Sequence, residues 1–196
     1  MIRTLQTRLR FAALWRGFED DRASQIVEFA LSLPLLMLFV VGIFDFSGAL
    51  SLKQKLTDAV RDGARVAAAD PANDLANPTG IPASVSDAYQ VVSNDLKAEN
   101  LNDCGLHNVT PTSAGGLIWQ STANTGCSGG SLVLTINRGC VVAQQMLGTN
   151  ATDVIDTCVT IQYPYQWRYY KVASLLGGTG SGPTTISTTA SAFNEN

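Results

Sequence analysis

Residues 24–52 read SQIVEFALSLPLLMLFVVGIFDFSGALSL. Phe29 to Phe44 carries no charge, and between Ile26 and Leu52 only Glu28 and Asp45 interrupt the apolar run. A helix rises about 1.5 Å per residue and a bilayer core is roughly 30 Å thick, so about 20 such residues span it. The stretch at about 26–50 meets that length and reads as one transmembrane helix. Its cost is the pair of carboxylates near its ends, because a charge in the apolar zone costs roughly 3 kcal/mol unless it snorkels or finds a partner.

On the N-terminal side, residues 1–23 (MIRTLQTRLRFAALWRGFEDDRA) form a basic leader with apolar residues interspersed. Residues 1–25 hold five arginines against three acids, whereas 66–196 hold four basic residues against nine acids. Positive flanks stay in the cytoplasm, so this bias places the N-terminus inside and the C-terminal domain outside, although Lys53, Lys55, Arg61 and Arg65 weaken it. The apolar run is longer than the core of a secretory signal and has no small-residue cleavage site after it. An uncleaved anchor, or a cut before the run, fits better.

On the C-terminal side the helix is expected to continue. Ala49, Leu52, Leu56, Ala59, Val60, Gly63 and Ala67 recur at three- and four-residue steps, the mark of one buried helix face. Asp58/Arg61 and Asp62/Arg65 stand at pairing distance on the remaining surface, where a solvated face and a partner-helix contact are the two readings. Pro71 ends the run, giving a rod over 24–69 of about 69 Å, with Pro34 and Gly42 as the points where it would kink or soften.

Residues 70–196 read as a small α+β head. A loop rich in Pro, Asn and Ala over 70–84 precedes a second amphipathic helix at about 84–101, with Ser84 or Ser86 as its cap. Strands are expected at Leu117–Ser121, Leu132–Asn137, Cys158–Tyr163 and Thr184–Ala192, separated by glycine-bearing turns. Helices followed by strands predict an antiparallel sheet with the long helix packed on one side.

The four cysteines, Cys104, Cys127, Cys140 and Cys158, all fall in the head. An even count in an exported domain favours disulfides; of the three possible pairings, Cys104–Cys127 with Cys140–Cys158 would staple two local loops. His107 is the only histidine and no Cys-x-x-Cys pair occurs, which argues against zinc. No phosphate loop or nucleophile constellation is visible, so neither an enzyme nor a cofactor is expected. The head's basic residues are too few for nucleic acid. Tyr163, Tyr165, Trp167, Tyr169 and Tyr170, with Arg168 and Lys171, form an aromatic segment open to two readings, head packing and binding.

The elements Val27-Glu28-Phe29, Leu33–Leu36, Gly42–Phe46 and Ala59–Arg65 appear in that order over about 45 residues. In this the chain resembles the TadE-like family of pilus-assembly proteins. The resemblance implies a minor pilin-like membrane component of a tight-adherence (Flp-type) pilus system in the bacterial inner membrane, with a periplasmic or otherwise extracytoplasmic head. Its implied partners are the lipid bilayer, other pilin-like subunits and the assembly and secretion machinery. It also implies that Glu28, Phe29, Pro34 and Asp45 serve assembly and register. Some members are cut by a prepilin peptidase before the apolar helix; here that bond is Ala23–Ser24, which makes Glu28 the fifth residue of the mature chain. Ala23 stands where the family prefers glycine. The competing reading is a membrane-tethered extracytoplasmic binding or adhesion module.

Overall fold

The computed structural model describes residues 21–71, 73, 75, 80–147, 150–169 and 184–194. Residues 1–20 of the basic leader, Tyr170, Lys171 and the glycine-rich run after them lie outside these residues. The chain divides into two compact units, Met1–Phe46 and Ser47–Asn196. Helix α1, Asp21–Ala69, runs through both.

In the first unit, residues 25–44 of α1 are apolar on every side and almost wholly exposed. Ile26, Phe29, Leu31, Leu36, Phe39 and Ile43 all stand out from the helix. Among the described residues this is the one helix long and apolar enough to cross a membrane, and none of its apolar window is buried. A core helix of a soluble protein would hide one face; this stretch hides none, so its partner is lipid or other helices.

The second unit is an α+β head. Residues 47–69 of α1 are followed by α2 (Ala83–Ala98), a 3-10 turn (Leu106–Asn108) and five strands: β1 (Thr112–Gly115), β2 (Ile118–Ala123), β3 (Leu132–Leu147), β4 (Asn150–Tyr165) and β5 (Thr184–Phe193). The strands form one antiparallel meander in the order β1-β2-β3-β4-β5. Along the sheet, inward residues alternate with outward ones, as a pleated strand requires. Trp119, Leu134, Ile136, Val159 and Ile161 enter the core, while Gln120, Thr122 and Gln162 face out.

Helix α1 supplies Leu52, Leu56, Ala59, Val60, Gly63, Ala64, Ala67 and Ala68 to the buried set, which is the expected face widened by Ala64 and Ala68, with Ala49 only partly buried at its start. Helix α2 adds Val85, Ala88, Val92 and Leu96 to the same core. The helices approach closely at Gly63, where an added Cβ would lie 2.6 Å from Val92 Cγ2 and 3.9 Å from Val159 Cγ1. Asp58–Arg61 and Asp62–Arg65 pair at 3.6 and 3.5 Å on the exposed side, and such pairs contribute little.

The structure corrects several expected boundaries. Neither Ser84 nor Ser86 caps α2; Pro82 stands at the cap position, and its carbonyl accepts from Val85 and Ser86 amides at 3.1 and 3.0 Å. A proline has no N–H to strand there, and its fixed φ suits helix entry. The helix stops at Ala98 because Asn100 turns left-handed (φ 55°), letting the Leu101 amide reach back to the Leu96 carbonyl at 2.8 Å. Strands β3 and β4 reach well past the expected spans: β2 pairs β3 only as far as Asn137 and β5 pairs β4 only from Asp156. Beyond that, Val141–Leu147 and Asn150–Ile155 pair with each other. The hairpin carries register shifts between Asn137 and Cys140 and between Val141 and Gln144.

At the base of that hairpin Arg138 is buried on the inward face of β3. Its guanidinium donates to the carbonyls of Ala67 and, at 3.0 Å, Asp70, and to Thr157 Oγ1 at 2.7 Å and Asn194 Oδ1 at 3.1 Å. Helix α1 has no basic residue in its last turn, so the sheet provides the cation that its C-terminal carbonyls favour. Next to it, Gly139 leaves room for Leu117, whose Cδ1 would lie 2.9 Å from an added Cβ.

Both close contacts can be tested on the full-length chain in detergent, by urea denaturation read with circular dichroism. Gly63→Leu lowers the unfolding free energy by about 1–3 kcal/mol through overpacking between the helices. Arg138→Met lowers it by about 3 kcal/mol, since buried carbonyls lose their donors, and Arg138→Lys recovers only part because one ammonium cannot reach all four acceptors.

Candidate functional site

The expected assembly residues lie in the first unit. Glu28 and Phe29 are both exposed on α1, Phe29 at 65%. Glu28 and Asp45 are 17 residues apart, about 26 Å of helix, so the stretch between the two carboxylates is close in length to a bilayer core. Pro34 sits inside the helix and cannot donate to the carbonyl one turn earlier, at Ala30. Ser32 Oγ donates to the Phe29 carbonyl at 3.0 Å in the same turn, as hydroxyls do in apolar helices. The Ala23–Ser24 bond falls within the first turn of α1.

In the head, the cysteines pair as Cys104–Cys127 and Cys140–Cys158. All four thiols are thereby removed from metal or redox chemistry. The first bridge ties the segment after α2 to the turn between β2 and β3. Around it Asn102 Nδ2 donates to the Gly126 carbonyl at 2.6 Å, and the Tyr163 hydroxyl donates to the Asn102 carbonyl at 2.9 Å. Burial raises the Tyr163 pKa, with the negative charge of Asp103 adding to the effect.

Beside the bridge, Asp103 gathers the polar groups of this corner. Its carboxylate accepts from the Gly105 amide at 3.1 Å and the His107 amide at 3.4 Å, meets His107 Nδ1 at 2.6 Å, and has Lys97 Nζ at 3.8 Å. Burial pushes its pKa up, but the hydrogen bonds from His107 and from the Gly105 and His107 amides outweigh burial and hold it below the ordinary aspartate value.

A groove of about 500 Å³ opens in the same unit. Its lining includes Ser51 and Lys55 of α1, Asn102, Ser128, Tyr165 at the end of β4 and Arg168 just after it. The aromatic segment therefore divides. Tyr163 and Tyr165 are buried in the head, and Trp167 packs edge-on against Tyr165 with ring centroids 5.3 Å apart, while Tyr169 is exposed. Packing accounts for the first three. Neither the groove nor the Asp103 cluster was visible in the sequence, because the loops that form them meet only through the disulfide and the sheet.

These features define a class: an α+β head built onto the continuation of an exposed, apolar, membrane-length helix. The family model described as TadE-like protein matches residues 23–65, which are the apolar helix and most of its amphipathic continuation. No curated protein and no solved structure matches the chain.

The lowered pKa of Asp103 gives a pH dependence with a definite sign. A carboxylate whose folded pKa is depressed contributes stability that is full above its unfolded value and is lost as pH falls through the folded one. Asp103→Asn is expected to cost about 1 kcal/mol at pH 7. It should also shrink the loss of stability between pH 5 and pH 3, measured by urea midpoints across that range.

Proposed function

We propose that the chain is a minor pilin-like membrane component in the assembly of a tight-adherence (Flp-type) pilus, with a structural rather than a catalytic role. The observation that carries this reading is the coincidence of the TadE-like match over residues 23–65 with a helix segment that is apolar and unburied on all sides. In this reading the chain crosses the bacterial inner membrane once, with its N-terminus in the cytoplasm and its head outside. The helix meets other pilin-like subunits in the bilayer, and the head meets the assembly machinery beyond it.

Glu28 is the residue on which the helix contacts turn. A prepilin peptidase cut between Ala23 and Ser24 would create an amine four residues before Glu28, and that amine on one subunit pairs with Glu28 on its neighbour. Such a pair offsets the desolvation of each charge and fixes axial register, so it acts more as a specificity device than as a stabiliser. Glu28→Ala should reduce co-purification with the other pilus components at least about tenfold, while the head keeps its circular dichroism and both disulfides. Intact mass of the membrane-extracted chain should begin at Ser24. Wild-type assembly by Glu28→Ala would remove the register role, and a mass that includes Met1 would remove the amine pairing.

A further inference from the structure

The outward face of the sheet carries no charge where the strands lie side by side. Residues 112–115, 118–123, 132–137, 158–165 and 184–193 include no Asp, Glu, Lys, Arg or His. Asp156, the next acid along β4, is buried. The helix surfaces of the same unit differ: α1 exposes Lys53, Asp58, Arg61 and Arg65, and α2 exposes Asp87 and Lys97. In place of charge, the pairing registers align Thr112, Gln120, Thr135, Thr160 and Thr189 in one row across all five strands. At about 4.8 Å between strands, the row is about 19 Å long. Thr112, Gln120 and Thr189 are exposed, and Thr135 and Thr160 are partly buried. Thr122, Val133, Gln162 and Ser187 form a second row about 7 Å along the strands from the first. Members of the first row hold one another in place. The Thr160 and Thr189 hydroxyls meet at 2.8 Å, and Gln120 Nε2 donates to Thr135 Oγ1 at 3.5 Å. Threonine is also stiff about its first side-chain torsion.

We propose that this face binds an extended, uncharged polysaccharide, a β-1,4-linked glycan laid along the row. Each hydroxyl has one donor and two acceptor sites, and the glutamine amide has two donors, so the bonds within the row leave capacity for a ligand's hydroxyls. The spacing of neighbouring strands is about the length that one pyranose unit adds to such a chain, so successive sugars meet successive side chains. Because the row is already ordered, little side-chain freedom is lost on binding. Phe193, on the same face as Thr189 and Ser191, is exposed and offers an apolar ring to the C–H face of a sugar. An anionic ligand finds no cation in these rows, and the acid surplus over residues 66–196, nine against four bases, repels it. A protein partner fits less well, because interface cores favour Trp, Tyr, Met and Arg, and the rows hold none of these. The inference rests on neither the pilus reading nor the membrane helix.

The test uses the full-length chain in a polyoxyethylene detergent, which carries no sugar, mixed with microcrystalline cellulose, chitin or phosphorylated cellulose and read by depletion from the supernatant. The two uncharged glycans should deplete the chain saturably, and phosphorylated cellulose should bind at least about tenfold more weakly. The double variant T160V/T189V removes two hydroxyls at nearly constant shape and should weaken binding about tenfold. Q120E/T189E, which puts two acids into the row, should weaken it about tenfold or more. Q90E/N94D adds an equal charge to exposed positions of α2 and should leave affinity unchanged. Circular dichroism and intact disulfides establish that each variant is folded. Depletion by neither cellulose nor chitin overturns the proposal, as does wild-type affinity in T160V/T189V or in Q120E/T189E. Equal binding of phosphorylated cellulose overturns the uncharged ligand class. A loss in Q90E/N94D as large as in Q120E/T189E overturns the proposal in favour of general surface charge. A dimer in sedimentation velocity that Q120E/T189E dissociates overturns it in favour of a second copy of this chain on the face. Pilus components are absent from this experiment, so its failure leaves the assembly reading untouched, and failure of that reading leaves this one standing.

Discussion

The guanidinium of Arg138 donates to the carbonyls of Ala67 and Asp70, where α1 runs out of its own amides. A helix end buried without donors would carry unsatisfied carbonyls at about 1–3 kcal/mol each, so some group has to meet them. The group comes from β3, not from a local cap, and this ties the end of the long helix to the middle of the sheet. Thr157 and Asn194 share the same guanidinium, which brings β4 and the segment after β5 into the arrangement. Cys140, two residues further along β3, is bridged to Cys158 on β4, one residue past Thr157. Helix end, central hairpin and C-terminal segment are therefore fixed at one point.

The two halves of α1 are sorted by side-chain size. Large residues on every side of 25–44 expose apolar surface that only lipid or other helices can cover. From Ala59 onward the buried positions are mostly small: Ala59, Gly63, Ala64, Ala67 and Ala68. Small residues let a helix backbone approach its neighbours, and at Gly63 the approach leaves no room for a methyl group. The same element thus offers bulk to a fluid medium and closeness to a packed core. No change of secondary structure marks the transition.

Much of this was legible in the residues. The three- and four-residue spacing from Leu52 to Ala67 identified the core face of α1, because a helix repeats its environment with its turn. The disulfide pairing followed from short loops, and β5 emerged almost to the residue. The extension of β3 and β4 did not, since register shifts after Asn137 and Val141 break the period of two that strand reading depends on. Strand β1 gave no signal because its four residues are all exposed and carry no apolar alternation. Arg138 does carry one: it continues the inward phase of Leu132, Leu134 and Ile136. A charge in that phase needs buried acceptors. The assembly roles expected of Glu28, Phe29, Pro34 and Asp45 came from the family resemblance, and the groove could not be read at all, because its walls come from four separate parts of the chain.

The Arg138 contact spans 71 residues between Ala67 and its donor. At about 5–20 residues per second, a ribosome needs roughly 4–14 seconds to make that interval. Throughout it the first half of the chain exists without the group that closes its helix, and the sheet that completes the core is still missing strands. The helix can enter lipid during that time on the strength of residues 25–44 alone. The head cannot be completed piece by piece as it emerges, because its keystone arrives with the third strand. Anchoring and folding are thereby separated in time within a single polypeptide, and the tether is in place before there is anything for it to hold.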